Sequence, residues 1–209
     1  MSEWLERAGR RFARLATQAS VARPGLWRVF RRPLRAQFDR LAPVWERRAG
    51  PEALVPLAAA LERIEIPPAR VLDLGTGTGK AARVAARLFR EAEVEAVDLA
   101  PAMVEEARRL LPPDLAGRVR FRVADASALP YERGAFDLVV LQNMIPFFDE
   151  LARVTAPAGR VVLAFSWGAQ TPIYVPAETL RERLGEVGFE RFEELAAGAG
   201  TAFVGYRIE

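Results

Sequence analysis

The stretch Val71-Leu72-Asp73-Leu74-Gly75-Thr76-Gly77-Thr78-Gly79-Lys80-Ala81-Ala82, VLDLGTGTGKAA, decides the fold. An apolar run interrupted by one acid reads as a buried strand, the alternating glycines as a tight loop, and the lysine-alanine segment as the start of a helix. Outward from it, strand and helix patterns alternate. Strands are expected near 70–74, 94–98, 119–124, 136–141, 160–166, 189–195 and 201–207, with helices near 78–90, 101–111, 147–155 and 177–187. Such alternation predicts an α/β fold, a doubly wound, mostly parallel seven-stranded sheet with helices on both faces. The connection between the last two strands, around Gly198-Ala199-Gly200, is too short for a crossover, so these strands should pair antiparallel.

Three ligands suit a glycine loop in this position. A phosphate-binding P-loop would put its first glycine where Leu74 stands and its hydroxyl where Ala81 stands, so both fixed positions fail. A dinucleotide fingerprint survives as Gly77-Thr78-Gly79-Lys80-Ala81-Ala82, with Asp98 at nearly the expected interval. Its chemistry is poorly served: the chain has no His and no Cys, and Lys80 is its only lysine, which leaves no Tyr-x-x-x-Lys pair. The third reading uses Asp73. A carboxylate between apolar strand residues is costly to desolvate without partners. At the strand's carboxyl end it can accept hydrogen bonds from the loop and face a ligand carrying an ammonium and a sulfonium, while the glycines let the backbone approach closely. The plain alternative is an acid that ends a strand and glycines that turn the chain.

At this point the chain resembles the class I S-adenosylmethionine-dependent methyltransferases. Their motif, an acid, one residue, then Gly-x-Gly-x-Gly, is met at every fixed position by DLGTGTG (73–79). Three further parts follow in the family's order: VEAVDLAPAMVEEAR (94–108), VRFRVADASALPYERGAFDLVV (119–140) and FFDELARVTAPAGRVVLAF (147–165). The resemblance implies a Rossmann-like domain over 65–209, with residues 1–64 as a helical, arginine-rich extension or lid. It implies S-adenosyl-L-methionine as cofactor, held by Asp73, Gly75, Thr76, Gly77 and Gly79, by Asp98 on the ribose hydroxyls, and by Asp125 and Ala126 at the adenine. Leu99 and Met103 would pack around ribose and adenine, with ordinary core packing as the alternative. The family's turn before the fifth strand becomes Thr155-Ala156-Pro157-Ala158-Gly159. After the fourth strand stands Gln142-Asn143-Met144-Ile145-Pro146-Phe147-Phe148, without the Asn-Pro-Pro-Tyr signature of amide and base-nitrogen methylation.

The acceptor is expected to be a small organic molecule, a phenol, quinone or lipid-like compound methylated on O, C or N, because acidic acceptors need no histidine base. Gln142 and Asn143 are candidates for orienting it, Gln142 also for cofactor contact, with Tyr174, Asp149 or Glu150 as possible bases. QFDRLAPVWERR (37–48) resembles the Tyr-Asp-x-x-Ala segment of the ubiquinone and menaquinone methyltransferase-like branch (methyltransferase type 11), which suggests Phe38, Leu41 and Trp45 as lid residues; Phe147 is a further lid or acceptor-site candidate. A cofactor-binding protein without catalysis and a nicotinamide oxidoreductase stay open as alternatives.

Composition sets the outer limits. Half the residues (51%) are apolar, enough for a core in 209 residues, and no apolar run reaches the roughly 18 needed to cross a bilayer. A cytoplasmic location is the default expectation, and no metal site is expected. Charge is uneven: residues 1–48 carry 12 Arg against Glu3, Glu6, Asp39 and Glu46, a balance of +8 in a chain whose total is +3. Those arginines, interleaved with Trp4, Phe12, Trp27 and Phe30, suit a solvated face, peripheral contact with anionic lipid, or RNA phosphates, the last disfavoured because no separate RNA-binding domain is visible.

Overall fold

The computed structural model describes residues 3–48 and 50–208, with side chains from residue 7 onward; the expectation for Trp4 lies outside the described side chains. Two long helices come first, α1 (Glu3–Ala22) and α2 (Trp27–Arg48), then the short α3 (Val55–Glu62). The alternating part follows as β1 (Arg70–Leu74), α4 (Lys80–Leu88), β2 (Glu93–Asp98), α5 (Pro101–Arg109), β3 (Val119–Val123), β4 (Phe136–Gln142), α6 (Phe148–Val154), β5 (Thr155–Phe165), α7 (Ala177–Glu186), β6 (Phe189–Ala197) and β7 (Gly200–Arg207). The sheet order is β3-β2-β1-β4-β5-β7-β6. The first five strands are parallel, and β7 runs antiparallel to both β5 and β6. The order therefore reverses between β1 and β4, which opens a cleft at their carboxyl ends.

Side-chain alternation divides the core in two. Leu72, Leu74, Val139, Leu141, Val161 and Leu163 face α6, α7 and parts of α1 and α2. Val71, Val94, Leu138, Val140 and Val162 face α3 and α4. A one-residue slip of any central strand would exchange these sets, so the register is strongly specified.

Two local departures from the sequence pattern stand out. Pro33 and Pro43 would break a helix on local propensity, yet Trp27–Arg48 forms one helix, α2, which runs through both. Each internal proline removes a helical hydrogen bond at a cost of roughly 3 kcal/mol, which the buried stripe Trp27, Leu34 and Leu41, spaced at seven, offsets by packing. The Thr155–Gly159 turn is a bulge inside β5 instead of a loop before it: Phe136 pairs with Thr155, then Leu138 with Arg160, and Ala158 adopts φ 58° within the extra segment.

Candidate active site

The loop after β1 is built around Asp73, which is 1% exposed. Thr76 Oγ1 donates to Asp73 Oδ2 at 2.6 Å, while Asp73 Oδ1 is buried without a hydrogen-bond partner. Burial pushes the Asp73 carboxyl up to about 7, and the Thr76 hydrogen bond and the nearby Ala82 N–H offset only part of that. Gly75, Gly77 and Gly79 take φ of 68°, 54° and 84°, the left-handed region in which a side chain is strained. A Cβ on Gly79 would come within 2.8 Å of Phe121 Cζ, so this glycine sets the approach of α4 to the sheet.

Asp98 at the end of β2 holds the loop from the other side. Its Oδ2 accepts from Gly77 N at 2.9 Å and its Oδ1 from Ala100 N at 2.8 Å, which leaves a lone pair on each oxygen. Burial raises its pKa above the usual carboxylate range despite these bonds. Asp125, after β3, takes three donors on Oδ1: Ser127 N, Ser127 Oγ and the indole Nε1 of Trp27. Arg31 lies 3.5 Å from Oδ2. Leu99 is partly buried against the core and Ala126 lies within it.

Helix α2 roofs this cleft from end to end. Trp27 meets Asp125 and stacks edge-on against Phe147 at 5.2 Å. In the middle, Leu41, Ala42 and Phe38 pack on Ala100 and Met103, so Met103 is buried in the contact between roof and domain. Asp39 caps the start of α5 by accepting from Ala102 N at 3.1 Å. At the far end Trp45, stacked on Phe38 at 5.5 Å, covers Gly77: a Cβ there would lie 3.2 Å from its indole nitrogen. Glu46 accepts from Thr78 Oγ1 at 2.6 Å and from Arg83 at 2.9 Å, and Lys80 Nζ donates to its backbone carbonyl. Met144 covers Gly75 in the same way, 2.5 Å from a would-be Cβ.

Gln142 and Asn143 prove to be tied down. Both side-chain amides donate to Ser166 Oγ at 2.8 Å, Asn143 Oδ1 accepts from Ser166 N, and Gln142 and Ser166 both donate to the Ala53 carbonyl. Asn143 also takes φ 53°, which its short polar side chain tolerates. Only Gln142 Oε1 is buried without a partner. Glu150 is a poor base: burial works to raise its pKa, but hydrogen bonds from Arg153 and the Leu129 N–H outweigh it and hold the carboxyl below the usual value. Asp149 is exposed. Tyr174 stacks on Phe165 at 5.1 Å and lines a recess of about 280 Å³ shared with Leu195 and Phe203 of the β6–β7 pair.

Trp27, Glu46 and Met144 at this site were not expected from the sequence. For Trp27 the seven-residue spacing to Leu34 and Leu41 was the available signal; for Glu46 and Met144 none was visible. The arrangement fits a cationic adenosine ligand. Two buried acceptors, Asp73 Oδ1 and Gln142 Oε1, lack donors at neighbouring strand ends, and burial raises two carboxylates, Asp73 and Asp98, that form no ion pair among the described residues, a combination an ammonium or sulfonium would relieve.

Comparison with known proteins points the same way. Residues 71–162 match the family model described as a methyltransferase domain. A malonyl-[acyl-carrier protein] O-methyltransferase of Halorhodospira halophila is 40% identical over 169 residues, covering 77% of this chain and 55% of that protein. A demethylmenaquinone methyltransferase of Thermus thermophilus is 42% identical over 127 residues, covering 57% of this chain and 52% of that protein. The chain thus spans about half the length of the curated relatives it matches. Among solved structures, a SAM-dependent methyltransferase from Aquifex aeolicus superposes with a TM-score of 0.64 at 18% identity over 83% of this chain and 97% of that one. Phosphoethanolamine N-methyltransferase 2 of Haemonchus contortus, solved with S-adenosyl-L-methionine, gives 0.65 at 18% identity over 82% and 57%. At such identities the last two speak for the fold alone. With the four ordered motifs and the sheet order, the relatives favour the third reading of the glycine loop: residues 71–162 match a methyltransferase domain, and the chain is similar to the class I S-adenosylmethionine-dependent methyltransferases.

Proposed function

We propose that this chain binds S-adenosyl-L-methionine between the β1 loop and the roof helix and transfers its methyl group to a small, largely apolar organic acceptor of quinone- or lipid-like character. The observation that carries the reading is the pair of orphaned acceptors beside the glycine loop, Asp73 Oδ1 and Gln142 Oε1, in a cleft covered by aromatic side chains. The cofactor supplies an electrophilic methyl group. Asp98 and Asp125 would take the ribose hydroxyls and the adenine amino group, and Thr76 keeps Asp73 oriented. Trp45, Phe38 and Phe147 would exclude water and position the acceptor, so that alignment supplies much of the rate. Tyr174, Gln142 and Asn143 remain the proposed polar groups of the acceptor side, although the two amides brace the strand ends through Ser166, whose hydroxyl is itself committed to the Ala53 carbonyl.

The names of relatives support an acceptor of this kind. Besides demethylmenaquinone methyltransferase, they include a 2-methyl-6-phytyl-1,4-hydroquinone methyltransferase of Synechocystis, 34% identical over 117 residues. The malonyl-[acyl-carrier protein] relative favours a second reading, methylation of a carboxylate, which also needs no general base. Among the described residues no helix is long and apolar enough to cross a membrane. We place the protein in the cytoplasm, in peripheral contact with a membrane when its acceptor is lipid-borne, and take residues 1–64 as the lid and 65–209 as the cofactor-binding domain.

Calorimetric titration with S-adenosyl-L-methionine, repeated on Asp98→Ala, tests the cofactor. Transfer of a labelled methyl group to demethylated quinols, substituted phenols and a malonyl thioester then tests the acceptor. Micromolar-range binding lost in the variant, with turnover of a quinol or phenol, is the expected result; turnover of the malonyl thioester alone would select the carboxylate reading.

A further inference from the structure

Between Glu6 and Asp39 the chain contains nine arginines and no acidic residue. The structure separates these arginines by task. Arg10 and Arg14 donate to the carbonyls of Ala169, Gln170 and Thr171 after β5. Arg31 faces Asp125 and Arg35 pairs with Asp39. Arg11, Arg23, Arg28 and Arg32 are exposed, and no ion pair is found for them among the described residues. Beside them lie Leu15, 60% exposed, Val29, 65% exposed, and Leu26, 38% exposed at the turn. On α1, Leu15 shares its face with Arg11, Gln18 and Ala22, opposite the buried Ala13, Ala16, Thr17 and Ser20. The contact of Phe12 with Phe30, at 5.9 Å, brackets the two helices into a hairpin whose outer side carries both kinds of residue.

We infer that the outer side of this α1–α2 hairpin is a docking surface for an anionic lipid bilayer. Unpaired arginines surrounding exposed aliphatic side chains match a headgroup layer over an acyl boundary, with the arginine stems lying along the apolar surface and the guanidinium groups on phosphate. A nucleic acid would give the leucines and the valine no partner. An acidic protein face would set charge, not an apolar surface, against the exposed Leu15, Leu26 and Val29. The inference rests on the proposed apolar acceptor for its purpose and on the chemistry of the hairpin for its evidence. Because α2 also roofs the cofactor cleft, docking would bring a membrane-borne acceptor to the helix that covers the site.

The test is sedimentation of the full chain with vesicles of phosphatidylcholine alone and of phosphatidylcholine with about a third phosphatidylglycerol, at low and high salt. Binding is expected to the anionic vesicles, weakened by salt, and reduced at least about tenfold both in Leu15→Glu/Val29→Glu and in Arg28→Gln/Arg32→Gln. Circular dichroism and cofactor titration of each variant show that it is folded. Equal binding to neutral and anionic vesicles, or binding unchanged in either variant, would overturn the inference. So would a lack of vesicle binding alongside salt-sensitive binding of RNA or of an acidic carrier protein that survives Leu15→Glu/Val29→Glu. Loss of cofactor binding with vesicle binding intact would instead remove the proposed function and leave the docking surface standing.

Discussion

The indole Nε1 of Trp27 donates to Oδ1 of Asp125 at 2.8 Å, joining residues 98 positions apart. This bond ties the first turn of the roof helix to the loop proposed to meet the adenine, so the stability of α2 and the shape of the proposed cofactor site are coupled through one carboxylate. A hydrogen bond to a charged acceptor contributes about 1–3 kcal/mol. Trp27→Phe keeps the stacking on Phe147 and removes only the donor. It is expected to lower unfolding free energy by about 1–2 kcal/mol and to weaken S-adenosyl-L-methionine binding several-fold. Denaturant unfolding and calorimetry check both; a variant of unchanged stability and affinity would show the bond to be incidental.

Asp73 gives a pH dependence whose sign is fixed by the direction of its shift. Its carboxyl is raised from 3.8 to about 7 in the folded protein. Between these values the folded state holds a proton that the unfolded state has lost, so stability falls as pH rises through this window and levels off above about 7. The loss amounts to roughly 4 kcal/mol at most for this group, and Asp98 adds a contribution of the same sign. Asp73→Asn is expected to flatten much of the slope in unfolding curves measured across that range. A cationic ligand would favour the ionised form, so S-adenosyl-L-methionine should bind more tightly, with proton release, as pH rises from about 5.5 to about 7.5. An unchanged slope in the variant would mean that Asp73 is not protonated in the free protein.

Most of the sheet was legible because its signals are local. Val71, Leu72 and Leu74 announce a buried strand, the glycines a loop, and the short link at Gly198 an antiparallel pair, all of which the structure contains. The roof was half legible. Phe38 and Trp45 pack on Ala100, Met103 and Gly77, but the continuity of α2 through two prolines depends on tertiary packing of Trp27, Leu34 and Leu41, which no local propensity encodes. Glu46 over Thr78 and the Gln142-Asn143-Ser166 network are long-range polar pairings, visible only once the chain is folded.

Gly79 carries two separable constraints, its φ of 84° and the 2.8 Å approach of a would-be Cβ to Phe121 Cζ. Left-handed backbone costs a residue with a side chain about 1–2 kcal/mol, and overpacking costs a further 1–3 kcal/mol. Gly79→Ala is therefore expected to destabilise by about 2–4 kcal/mol. Phe121→Leu in the same chain should restore part of the loss, the part due to the clash. Full restoration would assign the whole constraint to packing, and none would assign it to the backbone.

Glu46 is the latch at the other end of the roof. One carboxylate accepts from Thr78 at 2.6 Å and from Arg83 at 2.9 Å, and Arg83 itself is largely buried and also holds the Thr78 carbonyl. Glu46→Ala leaves Thr78 and Arg83 without that acceptor and frees the end of α2 that covers Gly77. Since Glu46 is about a third exposed, water replaces part of what is lost, and the cost in stability should stay near 1–2 kcal/mol. The kinetic effect is expected to be larger: faster amide hydrogen exchange across residues 41–48, and faster association and dissociation of the cofactor with a smaller change in affinity. Thr78→Val removes one of the two donors and should reproduce part of the exchange effect, with the double variant less than additive because both act on the same bond. Exchange confined to the last turn of α2, with cofactor rates unaltered, would mean that the cofactor enters without lifting the roof.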